Sequence, residues 1–487
     1  LEKYILAIDQ STTGTKAVLF DSTLNVVKRT TEYHKQYYPK SGWVEHDPKE
    51  ILDKTLTACR RVIDRIDPYS IIAVSVTNQR ETAVLWDKSG KPVYNAIVWQ
   101  CQRGKDLCEK LKRDGYERMV REKTGLLIDP YFSASKINWL LENVEDIRKN
   151  AENGEISFGT IDSWLIWNLC EGHPHVTDYS NASRTLLLNI HSLRWDEELL
   201  DLFNIPSKIL PKLLCSDEIF GYTDLNGLLP RRLPVIGVMG DSSAALYGQM
   251  GFHPKDAKAT YGTGTSMMIN LGEKKAELVS GVLSIGWVTD KKITYVAEGN
   301  IHSSADTLKW VVEQLQLVNS IEELEDLAAS VSDSCGVYFV PAFYGLGAPY
   351  WDSDAQALMC GMTKRTTRAH IVRAALESIA YQVYDLFSAL VRETGMRPDE
   401  LKADGGATKN RFLMQFQADI LDLPIYVNNI EECSARGVAL IAAKSIGILD
   451  EEQISMHYTK YIPNIDQQLR EEYINGWRMA VKRAILH

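Results

Sequence analysis

No stretch of the chain reaches the ~18 consecutive apolar residues that a bilayer-spanning helix needs, so no membrane insertion is expected. The opening "LEKYILAIDQ" is too short in apolar run, and too quickly acidic, for a signal peptide. Cysteine is sparse. Eight are scattered at Cys59, Cys101, Cys108, Cys170, Cys215, Cys335, Cys360 and Cys433, with no C-x-x-C pair; this excludes a dense disulfide framework and suits free thiols in a reducing cytoplasm. Positive charge is also in short supply. With 54 basic against 64 acidic residues the formal net charge is −10, which argues against nucleic acid or an anionic membrane as the main partner. The histidines, His302 among them, have no metal-ligand spacing, low-complexity tracts are missing, and there is no G-x-x-x-x-G-K-[ST] run, so a P-loop is not the phosphate device.

Core material is ample. The 487 residues, 45% hydrophobic and 24% charged, exceed what one hydrophobic core organises, and two domains of roughly 240 residues are the prior. Strand-like runs "YILAID", "KAVLFD" and "IIAVSVT" alternate with helix-like stretches such as "PKEILDKTLTACRRVIDRI", where apolar positions recur every three or four residues. That alternation predicts an α/β architecture. After residue 255 a similar opening returns as "AKATYGTGTSMMINLG", a hint of internal repetition. The segment "GDSSAALYGQMGFHPKD" leads into a Gly/Pro-containing connector, and the predicted domains are residues 1–248 and 249–487.

The chemistry gathers at turns. In "AIDQSTTGTKAVLFD" a strand ends in Asp9, passes through Ser11, Thr12, Thr13 and Gly14, and resumes as a strand. Small residues let a ligand approach the backbone, and hydroxyls with free N–H groups suit phosphate oxygens. Asp9 at the carboxyl end of such a strand either holds Mg²⁺, which takes one or two carboxylates plus phosphate oxygens, or satisfies turn amides. "TYGTGTS", with Thr263 and Ser266, is a second hydroxyl-and-glycine turn, and "DGGATKN", with Gly406 and Asn410, is a third that leads into a helix. Asp241 follows the strand "PVIGVMG"; it reads either as a helix N-cap or as a general base for a hydroxyl nucleophile. Arg80, Glu81 and Trp99 fall on strand ends, where they read as a polyol grip, with an aromatic ring over a C–H face, or Arg80 and Glu81 read as a surface ion pair.

Together "AIDQSTTGTKA", "YYPKSGWVEHDP", "TNQRET", "IVWQCQR", "FSASKINWLLEN", "FGTIDSWLIWNL", "TDYSNASRTLL", "YGLGAPYWDSDA" and "DGGATKNRFLMQFQADIL" resemble the glycerol kinase-like branch of the FGGY carbohydrate kinases over nearly the whole chain. The resemblance implies two RNase H-like domains of the actin/Hsp70/sugar kinase superfamily around a catalytic cleft. It implies ATP and Mg²⁺ as cofactors and a small polyol as partner, bound mainly by the first domain, with ATP mainly on the second. It also implies assembly into homodimers or homotetramers.

By motif position Asp241 is the implied base and Asp9 the magnesium-side carboxylate. Thr12, Thr13 and Lys16 are implied near the terminal phosphates, Lys16 standing where an arginine is usual. Thr263, Ala305, Lys309, Gly406 and Asn410 match nucleotide-binding positions, although Ala305 and Lys309 replace a glycine and a glutamine. Arg80, Glu81, Trp99, Tyr131 and Asp241 match the acceptor set. Ser242 and Ser266 replace a glutamine and a phenylalanine, shortening two side chains, and a polyol longer than glycerol is one expected consequence. A ketose kinase is the alternative within the fold, and a non-catalytic actin-like nucleotide-binding protein the alternative outside the activity.

Overall fold

The N-terminal apolar run forms strand β1 (Tyr4–Gln10), which pairs antiparallel with β2 (Gly14–Phe20), itself antiparallel to β3 (Val26–Tyr33). On its other side β1 runs parallel to β4 (Ile71–Asn78). After β5 (Ile219–Thr223), strand β6 (Leu233–Gly240) completes the order β5-β6-β4-β1-β2-β3. These assignments come from a computed structural model that describes residues 2–428, 432–448, 454 and 456–485. β1, β4 and β6 point the same way, and Gln10 and Gly240 both sit level with Asn78. The segments that follow them therefore leave the sheet at one edge, where ligands gather in open α/β sheets.

Both faces of this sheet are covered, and β1 and β4 are accordingly buried along almost their whole length. Leu6 and Ile8 pack with Ile51, Val62 and Trp164; Ile51 and Val62 lie on helix α1 (Pro48–Ile63), which starts where the Asp47 side chain accepts from the Lys49 amide. By the two-residue period of a strand, Ile5, Ala7 and Asp9 point to the opposite face. Three further helices matter for the site: α2 (Ser133–Asn143), the single turn α3 (Tyr179–Ala182) and α4 (Asp241–Gly248), which begins directly after β6.

The second sheet uses β7 (Ala257–Tyr261), β8 (Thr265–Gly272), β9 (Val282–Thr289), β10 (Lys292–Ile301), β11 (Leu401–Asp404), β12 (Ile425–Asn428) and β13 (Tyr458–Tyr461), in the order β9-β10-β8-β7-β11-β12-β13. Its β10-β8-β7-β11-β12 run repeats the neighbour order β3-β2-β1-β4-β6, with parallel β7, β11 and β12 in place of β1, β4 and β6. The repeat glimpsed in the sequence is thus a repeat of topology. Helices α5 (Ala305–Glu313), α6 (Arg368–Thr394) and α7 (Arg411–Leu421) belong to this part. α6, buried along most of its length, opens with a Thr367/His370 capping box and stops at Gly395.

The chain divides into two units. One comprises Leu1–Met250, Leu283–Tyr295 and Glu432–Ser455; the other comprises Gly251–Val282, Val296–Glu431 and Met456–His487. The first unit therefore reclaims a late helix, α8 (Cys433–Ser445), which packs on β1, β4, β6 and α4. Its crossing with α4 is close: a Cβ on Gly437 would overlap the Ala244 carbonyl, and one on Gly248 would overlap that of Cys433. Among the described residues no helix is long and apolar enough to cross a membrane, and all eight cysteines are free.

Candidate active site

In the first unit the turn after β1 is closed by its own backbone, the Ser11 amide and hydroxyl both donating to the Gly14 carbonyl. Among the described residues no turn amide bonds the Asp9 carboxylate, so the turn-satisfying reading fails. Asp9 is 7% exposed, and burial pushes its carboxyl up to about 7, with Lys16 opposing the rise and Asp241 and Glu432 adding to it. Lys16 stands directly across the β1–β2 ladder from Asp9, hence on the same face. Its ammonium meets Glu432, the residue preceding α8, at 2.8 Å, and Arg29 meets the other oxygen of Glu432 at 3.0 Å. Burial works to lower the Lys16 pKa, but Asp9 and Glu432 outweigh it and raise it.

Asp241 is the first residue of α4, not its cap: Gly240 holds that position, and the Asp241 side chain accepts from the Ser242 amide at 2.6 Å. Its backbone carbonyl accepts from the Ser434 hydroxyl of α8 at 3.0 Å. The same helix start thus touches Lys16 through Glu432 and Asp241 through Ser434. Arg80, which leaves the sheet just after β4, lies 3.5 Å from Asp241 Oδ1 and 3.8 Å from Glu81 Oε1. A Cβ at Gly240 would come within 2.6 Å of Arg80 Cγ, so the glycine is what lets this guanidinium lie along the end of β6. The surface-pair reading of Arg80 and Glu81 fails too, both being buried.

Trp99 donates through Nε1 to the Thr12 hydroxyl at 3.0 Å and meets the Tyr131 ring edge-on at 5.3 Å. Contacts or mutual charge effects therefore link Asp9, Lys16, Arg80, Glu81 and Asp241, and contacts link Thr12, Trp99 and Tyr131, all in one unit, with Thr13 in the turn after β1 and Ser242 beside Asp241. Sequence reasoning missed two buried cations here. Lys136 on α2 donates to the carbonyls of Pro130, Tyr131 and Phe132, holding the turn that carries Tyr131, and burial lowers its pKa to about 8. Arg184 bonds Glu81 at 2.7 Å. Each follows small residues, in "SASK" and "NASR", the available sign that a cation has been given room inside.

In the second unit the turn at Thr263 meets the start of α5: the Ser304 amide donates to the Thr263 carbonyl at 2.9 Å and the Ala305 amide to that of Gly262 at 3.1 Å. Ala305 is thus packed against the turn, and Lys309 stands one helical turn further on. Across the sheet, Gly405 has φ +98°, and a Cβ there would lie 2.7 Å and 2.8 Å from the Tyr261 carbonyl carbon and nitrogen. Gly406, by contrast, has open space on its Cβ side. Asn410 caps α7, accepting from the Leu413 amide at 2.9 Å. β7 and β11 are parallel neighbours, so the Thr263 and Gly406 turns lie at the same sheet edge. Ser266 sits on β8 with its hydroxyl buried and unbonded.

Comparison with known proteins bears on this geometry. Models of the FGGY family of carbohydrate kinases match residues 4–248 (N-terminal domain) and 257–446 (C-terminal domain). Glycerol kinase 1 of Thermotoga maritima is 57% identical over 490 residues, 99% of each chain. The glycerol kinase of Pseudothermotoga lettingae is 48% identical, again over 99% of each. The crystal structure of Plasmodium falciparum glycerol kinase with ADP superposes at a TM-score of 0.95 with 35% identity, covering 100% of this chain and 99% of that one.

Proposed function

The chain belongs to the FGGY family of carbohydrate kinases, and we propose that it transfers the γ-phosphoryl group of ATP to a terminal hydroxyl of glycerol. The observation that carries this reading is the placement of Asp241 within 3.5 Å of Arg80, which also approaches the buried Glu81. A carboxylate that is ion-paired yet half-open at a helix start can reach a substrate hydroxyl. The relatives named glycerol kinase support glycerol as that substrate.

In the proposed reaction Glu81 and Arg80 bind adjacent hydroxyls, while Trp99 and Tyr131 cover the C–H face of the polyol. Asp241 takes the proton of the terminal hydroxyl as its oxygen attacks the γ-phosphorus, and ADP leaves with the electron pair of the broken P–O bond. Lys16, Thr12 and Thr13 offer a cation and hydroxyls to the terminal phosphates. Thr263, Ala305, Lys309, Gly406 and Asn410 hold the nucleotide, the free side of Gly406 letting it approach the backbone.

Magnesium fits Asp9: a buried carboxylate unsatisfied by turn amides lacks a positive partner of sufficient charge. Among the described residues no cluster of three or more His, Cys, Asp or Glu forms a protein-only cage, as expected for an ion that prefers one or two carboxylates plus phosphate oxygens and water. When bound, the ion would neutralise phosphate charge.

A coupled assay of ADP release with glycerol, erythritol, xylitol and xylulose tests the proposal. Glycerol should give the highest kcat/KM. A lead for erythritol or xylitol would point to the room left by Ser242 and Ser266, a lead for xylulose to a ketose kinase, and no acceptor-dependent ADP to a non-catalytic protein.

A further inference from the structure

Arg184 takes no part in the reaction as drawn, yet it is 1% exposed and an unpaired guanidinium could not be left there. Its backbone is fixed from two sides. The Asp178 carboxylate caps α3, accepting from the Ser180 and Asn181 amides at 2.9 Å each. The Asn181 side chain exchanges hydrogen bonds of 2.9 and 3.1 Å with that of Asn78, the last residue of β4. The Ser180 hydroxyl accepts from the Gly240 amide, at the end of β6, at 2.9 Å. The Arg184 amide then closes the segment on the Asn181 carbonyl at 3.0 Å. Arg184 is therefore tied to the same two strand ends that deliver Arg80 and Asp241.

Its side chain turns back to the acceptor residues. Nε donates to Glu81 Oε1 at 2.7 Å, one terminal nitrogen donates to the Ser284 hydroxyl at 2.8 Å, and the guanidinium lies 5.0 Å from the Phe132 ring centre and 5.8 Å from that of Tyr131. Both arginine contacts of Glu81 fall on Oε1, so Oε2 is the oxygen left for a ligand. We infer that Arg184 is a positioning residue for the acceptor: it pins Glu81 by one oxygen so that the other is presented to a polyol hydroxyl. Only a planar fork can bond Glu81 and Ser284 while lying near two rings, so lysine is not an equivalent. The inference rests on the glycerol kinase reading given above.

The test is steady-state kinetics of R184K and S284A with glycerol and ATP varied separately, alongside melting curves. R184K should raise the glycerol KM by about tenfold or more, the worth of one charge-assisted hydrogen bond, with the ATP KM within about twofold. S284A removes the neutral anchor and leaves no buried charge unpaired, so it should fold and raise the glycerol KM a few-fold. In R184A, millimolar guanidinium should restore part of the glycerol affinity by occupying the vacated space. A purely structural ion pair predicts instead that both KM values move together with the melting temperature and that guanidinium does nothing; either result overturns the inference. Should R184K fail to fold, S284A decides, since an unchanged glycerol KM there refutes it. Failure of the parent protein to phosphorylate any polyol would sink the functional reading, a separate and recognisable outcome.

Discussion

Asp9 and Asp241 are neighbouring carboxylates in opposite surroundings. Asp241 has 38% of its side chain exposed and a guanidinium at 3.5 Å; Asp9 is closed in. Asp241→Asn should cut turnover by about 10²–10⁴-fold, the usual worth of a general base, with the ATP KM unchanged; near-normal turnover would remove it from that role. Asp9 lends itself to a measurement without substrate. Its folded-state pKa of about 7 lies above the ordinary 3.8, so the native protein keeps a proton that the unfolded chain has already released. The cost of Asp9 is therefore absent at low pH, grows as pH rises from about 4 to 7, and is complete above that. In metal-free, nucleotide-free protein, Asp9→Asn should melt several degrees above the parent at pH 8, and the gap should narrow as the pH is lowered toward 5. A gap that does not change with pH would show that burial is not what raises this group. Most of these residues were legible because each stands at a strand end beside glycine or hydroxyl residues. Arg184 was not: the small residues before it in "NASR" hint only at room for a buried side chain, and its partner Glu81 lies some hundred positions away in the chain.

Among the elements, the glycine turns carry information that the sequence holds only in part. "DGGATKN" reads plainly as a turn, but which glycine serves the backbone and which the ligand depends on what lies opposite. Gly405 has φ +98° and sits against the Tyr261 backbone, whereas Gly406 faces open space. Gly405→Ala should destabilise the fold by more than the ~1 kcal/mol typical of a point change. Gly406→Ala should leave the melting temperature nearly untouched while raising the ATP KM; equal melting losses in the two would contradict this division. The helix pair α4 and α8 poses the same question at larger scale. Gly248 and Gly437 let the two backbones approach, and "SARGVALIAA" shows the small residues without showing their partner. Gly437→Ala should force the helices apart at the end that carries Asp241, lowering both melting temperature and turnover. Retention of both would mean the crossing is looser than drawn.

For the whole molecule, the α/β class was readable from alternating periodicities, and the two-part organisation from length and from the recurring strand–turn–strand opening. The path of α8 was not. A helix of small and apolar residues on nearly every side, buried from Ala435 to Ala443, says that it lies inside a core, not which sheet owns that core, and here the owner was laid down far earlier in the chain. Residues 1–250 expressed alone would leave β1, β4, β6 and α4 bare where α8 belongs. That fragment should be insoluble or molten, and co-expression with 251–487 should recover it; a well-folded, cooperatively melting 1–250 fragment would refute the dependence. The late return of one helix also sets a timetable for birth on the ribosome. The opening half emerges first but stays unfinished, its greasy flank waiting through nearly two hundred further codons, and so the holdup in this protein's maturation belongs to the part that was translated earliest.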